Sequence, residues 1–357
     1  MMLTVRSRLF SLLSIVFLLL SACQPVNPQP APQATVAVPF PTRTLIPRTP
    51  IPPPTARPTI TSIPTALSAS TVEPAQPGMP VPPSSVRRVL IISLDGLRPD
   101  AISLAPMPNL LALMQTSAYS LTAKTIFPSA TLPAHASMLT GLCPAKHGVD
   151  WNDYLPEKGF ARGTGLFTLA HAAGLQTVMF VGKEKLKQVS LPETIDIFRY
   201  INDRDVVIAQ RITEEFPPDF GLMFVHFATP DAMGHAYGWM TPQYLSVVRR
   251  ADEAIATLLK DLDDHGLRQE TLIIITADHG GHDQAHGSRM LEDMTIPWIV
   301  SGPGVRPGML TIPIQVTDTA ATAAWALGFP LPPEWDGWPV FEAFGQTILP
   351  RPVLFCQ

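Results

Sequence analysis

Cysteine is scarce in this 357-residue sequence, which holds only Cys23, Cys143 and Cys356. Three thiols make no disulfide framework, and none stands at the short spacing of a thiolate metal site. Cys143 and Cys356 could pair in an oxidising compartment, and the sequence leaves them unassigned. A Gly-x-Ser-x-Gly elbow is also missing, which argues against a serine nucleophile in a Ser/His/Asp triad. There is no internal repeat, so repeat architectures are excluded. Basic charge is short as well. Five of the 25 Lys and Arg residues but only one of the 29 Asp and Glu residues precede position 85, so the remainder has a formal net charge of −8. A broad nucleic-acid surface would be basic, whereas an excess of carboxylates suits tightly held divalent cations.

The apolar run from Leu9 to Leu20 follows Arg6 and Arg8 and falls short of the roughly 20 residues a membrane-spanning helix needs. A basic start, an apolar core of about a dozen residues and small residues at a cleavage point describe a secretory signal. Leu20-Ser21-Ala22-Cys23 resembles a bacterial lipobox. That resemblance implies cleavage before Cys23, lipid on this cysteine and a protein anchored to the membrane outside the cytoplasm. Nearly half of the 40 prolines then fall between 24 and 85, mixed with Thr, Ala and Ser. Such a segment cannot bury enough apolar surface to offset its ordering entropy, so it is predicted to be an extended tether. The expected organisation is a leader over 1–23, a tether over 24–85 and one folded domain over 86–357.

Within that domain short apolar runs alternate with helical patterns. Arg88–Leu94, Thr177–Val181, Gly221–Phe227 and Thr271–Thr276 read as strands buried on both faces. Ile296–Val300 reads as another, nearer an edge because of Pro297. Helices are expected over Met107–Thr116, Ala134–Leu142, Arg204–Glu215, Tyr244–His265 and Val316–Leu327. This alternation predicts a single α/β domain, a mainly parallel sheet covered by helices on both sides. Ligands of such sheets bind at the carboxyl ends of the strands.

The candidate functional residues stand at those ends. Asp95 follows the first strand, Asp231 and His235 follow Gly221–Phe227, and Asp278 and His279 follow Thr271–Thr276, with His282 and His286 shortly after. Each alone could be a cap or a turn residue. Together they are three carboxylates that repel one another unless cations lie between them. Carboxylate with imidazole and no thiolate suits zinc best, with manganese and iron as alternatives. The loop Phe127-Pro128-Ser129-Ala130-Thr131-Leu132-Pro133-Ala134-His135 presents Thr131 just before a helix, whose N-terminus favours an anionic group. His135 is placed to orient that loop. Lys183 and Lys185, in Gly-Lys-Glu-Lys after a strand, read as exposed loop charges, with contact to an anionic substrate as the alternative. His147, His171, His226 and His265 are read as structural.

These motifs together resemble the nucleotide pyrophosphatase/phosphodiesterase family of the alkaline phosphatase superfamily. They are Ser-Leu-Asp-Gly-Leu-Arg (93–98), the loop at 127–135, Thr-Gly-Leu-Cys-Pro-Ala-Lys-His-Gly (140–148), Asp-x-x-Gly-His (231–235) and Ala-Asp-His-Gly (277–280). The resemblance implies an alkaline-phosphatase-like fold and two zinc ions. One would be held by Asp95, Asp278 and His279 with Thr131 on its open side, the other by Asp231, His235 and His286 in preference to His282. It implies hydrolysis of phosphoric esters, foremost phosphodiesters or nucleotide pyrophosphates, through phospho-Thr131. Asn152 matches the family's phosphate-binding asparagine, and with the N–H after Thr131 it would form an oxyanion site. The substrate would be a phosphoester small molecule or a lipid or polymer headgroup.

Three alternatives accompany that reading. A phosphomonoesterase or phosphonate hydrolase on the same scaffold would need extra positive charge, and no arginine is fixed beside Thr131. A sulfatase would need Cys-x-Pro-x-Arg, whereas the chain has Cys143-Pro144-Ala145-Lys146. A surface-binding lipoprotein without catalysis would have lost a ligand, yet every ligand type is present. No aromatic slot for a nucleotide base is identified in the sequence, and Trp151 and Tyr154 are candidates for one.

Overall fold

The computed structural model describes residues 79–346 and Cys356. The leader, Cys23 and the tether up to residue 78 lie outside the described residues. Eight strands form one sheet: β1 (Arg88–Leu94), β2 (Ala118–Lys124), β3 (Gln176–Val181), β4 (Ile197–Tyr200), β5 (Phe220–Phe227), β6 (Thr271–Thr276), β7 (Thr295–Ser301) and β8 (Gly308–Met309). Their order is β4-β3-β5-β1-β6-β7-β2-β8. From β4 through β6 every pair is parallel, and β7 runs antiparallel to both β6 and β2. The mainly parallel α/β sheet expected from the sequence is therefore present. β1 sits at its centre with Val89, Leu90, Ile91, Ile92 and Leu94 at most 2 % exposed. Each such side chain contributes about 1.5–3 kcal/mol through burial, so this strand anchors the core and fixes where its carboxyl end lies.

Strand β7 departs from expectation. It lies inside the sheet, not near an edge, although Pro297 has no N–H to donate. The reason is local. Opposite Pro297 the register of β2 shifts between Ser120 and Ala123, and the β6–β7 ladder ends at Thr276 paired with Trp298. The missing donor thus falls where neither neighbour needs one, and the Pro297 carbonyl still accepts the Thr276 hydroxyl at 2.8 Å.

Helices cover both faces, and their bounds shift with their caps. The longest, Pro242–Asp264, starts two residues earlier than expected because Thr241 caps it and Pro242 suits its first turn. Asp252 on its buried side accepts the N–H groups of Asn109 and Leu110 at 3.0 and 2.7 Å. It thereby satisfies the start of the neighbouring helix Pro108–Met114. The helix expected over 134–142 instead spans Thr131–Thr140, so Thr131 is its first residue. Ala130 in extended conformation precedes it, and Gly141 at φ 69° stops it.

Cys143 and Cys356 form a disulfide with Cα atoms 5.2 Å apart. Residues at the end of the expected tether pack on the folded region, where the Pro80 carbonyl accepts the Trp325 indole N–H at 2.9 Å. Among the described residues no helix is long and apolar enough to cross a membrane.

Candidate active site

Parallel strands β3, β5, β1 and β6 end on one side of the sheet, and the sequence places a polar residue just beyond each. Asp95 leaves β1 into Gly96, whose φ of 72° turns the chain sharply. The turn aims the Gly96 N–H at Asp278 Oδ1, 3.1 Å away, tying the ends of β1 and β6 together. β5 leads through Ala228 into the helix Thr229–Tyr237, which carries Asp231 and His235 one turn apart on one face. Thr131 starts its helix opposite these groups. Asp95, Thr131, Asp231, Asp278 and His279 are all buried.

The geometry brings the expected residues together in two overlapping groups. Ligand atoms of Asp231, His235 and His286 lie within 4.8 Å of one another, as do those of Asp95, Asp231 and His279. Asp231 stands in both, where the sequence assigned it to one. Asp278 Oδ2 is 3.2 Å from His279 Nε2, and Thr131 Oγ1 is 3.4 Å from that same nitrogen. His282 is engaged elsewhere, its Nδ1 held 2.7 Å from Asp293 Oδ1.

The imidazoles are oriented in a common way. His279 Nδ1–H donates to the Gly280 carbonyl, His286 Nδ1–H to the Ser129 carbonyl and His235 Nδ1–H to the Gln284 carbonyl. With Nδ1 fixed as the donor, each neutral ring turns an Nε2 lone pair inward. Burial, with His279 beside it, pushes His286 down to about 4, and burial lowers His279. Those lone pairs face Asp231 Oδ1 at 3.4, 3.5 and 3.9 Å from His235, His286 and His279. Asp95 Oδ1, Asp231 Oδ1 and Asp278 Oδ2 are buried without any hydrogen-bond partner. Acceptors facing acceptors in a buried site repel unless cations lie between them. Nitrogen and oxygen donors in this arrangement fit divalent metal ions, and backbone-anchored imidazoles are the usual support for metal ligands.

Burial raises every one of the three carboxyls, and their neighbours then pull them apart. Asp278 is held well above the ordinary carboxylate range by burial and the Asp95 charge. Asp95 is held well below it because Lys183, His226 and His279 outweigh its burial. Against burial and the Asp95 charge, Asp231 is lowered by the adjacent His235, Lys183 and His279.

Lys183 is not an exposed loop charge. Its Nζ lies 2.7 Å from Asp95 Oδ2, 2.5 Å from Asp231 Oδ2 and 3.3 Å from Thr131 Oγ1. Lys185 reaches the Asn152 carbonyl and Oδ1 at 2.8 and 3.1 Å. The rule that located the carboxylates, a polar residue just past a strand end, applies equally to Lys183 after β3. His226 also has more than a packing role. It accepts the Gly182 N–H on Nδ1 and donates from Nε2 to Asp95 Oδ2 at 2.8 Å, which orients that carboxylate. Its signal in the sequence is a polar residue inside an otherwise apolar strand.

His135 donates from Nδ1 to the Thr131 carbonyl at 2.8 Å and pairs through Nε2 with Ser93 Oγ at 2.9 Å, so it fixes the threonine's backbone. Asn152 is adjacent, but its Oδ1 accepts the Leu132 N–H at 2.9 Å. The Leu132 N–H expected at an oxyanion is thus spent on Asn152 Oδ1, and only the Asn152 NH2 group is left for that role. Trp151 and Tyr154 each carry a lysine over the ring, Lys158 at 4.7 Å and Lys187 at 5.3 Å.

Comparison with known proteins adds independent support. The profile of a family described as type I phosphodiesterase / nucleotide pyrophosphatase matches residues 89–169 and 176–295. The bis(5'-adenosyl)-triphosphatase of Xenopus laevis is 27 % identical over 219 residues, which cover 55 % of this chain and 48 % of that protein. The human ectonucleotide pyrophosphatase/phosphodiesterase family member 5 is 26 % identical over 254 residues, covering 65 % and 51 %. The chain spans about half the length of these curated relatives. An inactive form of the murine member 5, solved in complex with AMP, superposes with a TM-score of 0.60 at 17 % identity over 72 % of this chain and 98 % of that one. The last similarity establishes a shared fold.

Proposed function

The chain belongs to the type I phosphodiesterase / nucleotide pyrophosphatase family, and from that premise we propose that it hydrolyses phosphodiester or nucleotide pyrophosphate bonds through Thr131. One observation carries the reading: a buried threonine hydroxyl stands 3.4 Å from His279 Nε2, in a cluster with three unpartnered carboxylate oxygens and inward-turned imidazole nitrogens. Asp95, Asp278 and His279 would hold one divalent cation beside Thr131, and Asp231, His235 and His286 a second. Zinc best matches these donors. Such cations would supply Lewis acidity, lowering the pKa of the threonine hydroxyl and stabilising charge on a leaving oxygen.

The chain's own residues do the rest. His135 and the helix start hold Thr131 in the site, where its Oγ1 attacks phosphorus. The threonine O–P bond forms as the ester or anhydride P–O bond breaks. Water then cleaves phospho-Thr131 from the vacated side and returns the hydroxyl, so one difficult step becomes two easier ones. The Asn152 NH2 group would donate to a non-bridging oxygen. Lipid on Cys23 would hold this chemistry outside the cytoplasm.

The test takes the full chain, strips it with chelator, restores zinc and follows hydrolysis of bis-nitrophenyl phosphate. Activity should vanish on chelation and return with zinc, while Thr131→Ala should lose at least about 1,000-fold with the fold intact. Before purification the activity should sediment with membranes, and Cys23→Ala should release it. A Thr131→Ala variant as active as its parent would refute the covalent route.

A further inference from the structure

Lys185 carries a charge that the proposed reaction does not use. The short turn Glu184–Val189 is pinned by the buried side chains of Leu186 and Val189, which fixes both lysines relative to the core. Lys183 is balanced by Asp95 and Asp231. Among the described residues Lys185 has no carboxylate within ion-pair distance, and its partners are the carbonyl oxygen and Oδ1 of Asn152. Its side chain is half-buried. An ammonium withdrawn from water without a counter-charge is costly until an anion arrives.

The anion it awaits is set by what lies beside it. Asn152 Oδ1 links Lys185 to the Leu132 N–H, one residue beyond Thr131. Lys183 Nζ reaches Thr131 Oγ1 itself. One compact ammonium group thus touches Thr131 Oγ1, and a second reaches the residue after it through Asn152, each with three rotatable donors. A phosphodiester offers two non-bridging oxygens that share one charge. A phosphate monoester offers three that share two charges, and its extra oxygen can accept from a second ammonium.

We infer that Lys183 and Lys185 form a paired-ammonium clamp for the non-bridging oxygens of the phosphoryl group at Thr131. Through this clamp the site takes dianionic phosphate monoesters as a second substrate class. The inference rests on Thr131 being the nucleophile. In the reaction Thr131 gives up its hydroxyl proton to solvent as Oγ forms the new P–O bond, and the alcohol leaves with the bonding pair and takes a proton from solvent. Water then releases inorganic phosphate and restores the threonine proton. Lys185 is the discriminating member because it holds no carboxylate of the site.

The experiment compares the zinc-loaded full chain with Lys185→Gln and Lys185→Arg. It uses nitrophenyl phosphate as the dianion, bis-nitrophenyl phosphate as the monoanion, and inorganic phosphate in a calorimetric titration. The parent should turn over both esters. Lys185→Gln should lose about 10–100-fold more in kcat/KM on the monoester than on the diester, as fits one charge-assisted hydrogen bond. Its affinity for inorganic phosphate should weaken by the same factor, and Lys185→Arg should restore most of each. Equal losses on the two esters, unchanged phosphate affinity, or a parent that cleaves only the diester would each overturn the clamp. If the parent cleaves neither ester, the proposed hydrolase function fails separately, and the phosphate titration alone decides the clamp.

Discussion

His286 and His282 stand four residues apart, and their surroundings give them opposite tasks. His286 turns its Nε2 toward Asp231 while its other nitrogen is tied to Ser129, two residues before Thr131. His282 is spent on Asp293. His286→Ala should therefore lower bound zinc from two ions per chain to one, measured by elemental analysis after dialysis, whereas His282→Ala should leave it at two. The reverse result would move the ligand to His282. At this scale the sequence is most readable where chemistry is crowded. Asp95, Asp231 and Asp278 announce themselves because three carboxylates at successive strand ends have no simple structural use. Lys183 does not, since a lysine after a strand reads as solvent-facing until the two carboxylates that surround it are known. His226 was hidden for a related reason. Its role depends on β5 lying beside β1, which places it opposite Ser93 and next to Asp95.

Two helices meet end to end behind the site, and their junction is a pH-sensitive element. Asp205 begins the helix Asp205–Glu214, and Thr229 begins the helix that carries Asp231 and His235. The Thr229 N–H and hydroxyl donate to Asp205 Oδ1 at 3.0 and 2.7 Å, and the Asp205 N–H donates back to the hydroxyl at 3.2 Å. Burial pushes the Asp205 carboxyl up to about 6, although the Thr229 bonds oppose it. A folded value above the unfolded one means the native state binds the extra proton. Stability is then fully present below about pH 4 and falls as pH rises through about 6. Asp205→Asn should flatten that slope and gain about 3 kcal/mol relative to the parent at pH 7.5, since a raised carboxyl loses about 1.4 kcal/mol for each pH step between its unfolded and folded values. Urea unfolding at pH 4.5 and 7.5 measures it, and an unchanged slope in the variant would refute the assignment. Strong periodicity made the buried strands and the long helix legible. β2, with its alternating polar residues, and the short β4 and β8 carried no comparable pattern. Pro297 misplaced β7 because a proline excludes an interior position only where a partner demands its N–H, and the register change in β2 removes that demand.

Across the whole molecule, the disulfide joins the segment after the Thr131–Thr140 helix to the far end of the chain. Phe127, in the loop before Thr131, donates its N–H to the Cys356 carbonyl, so the cross-link also borders the site. Its two cysteines are 213 residues apart, and a covalent loop of that length restricts the unfolded chain strongly. Replacing both with serine should cost about 2–5 kcal/mol in denaturant unfolding, and an unchanged midpoint would show that the bond adds nothing. No spacing rule could have paired them, because only the folded sheet brings them close. That long separation has a temporal side. The chain emerges from the ribosome N-terminus first, so Cys143 is complete while β3 to β8 have yet to be made. Its thiol must wait for a partner that follows every strand of the sheet. Oxidation is therefore a late event in the life of each molecule, and a chain with this bond closed is one whose entire sheet had already been synthesised.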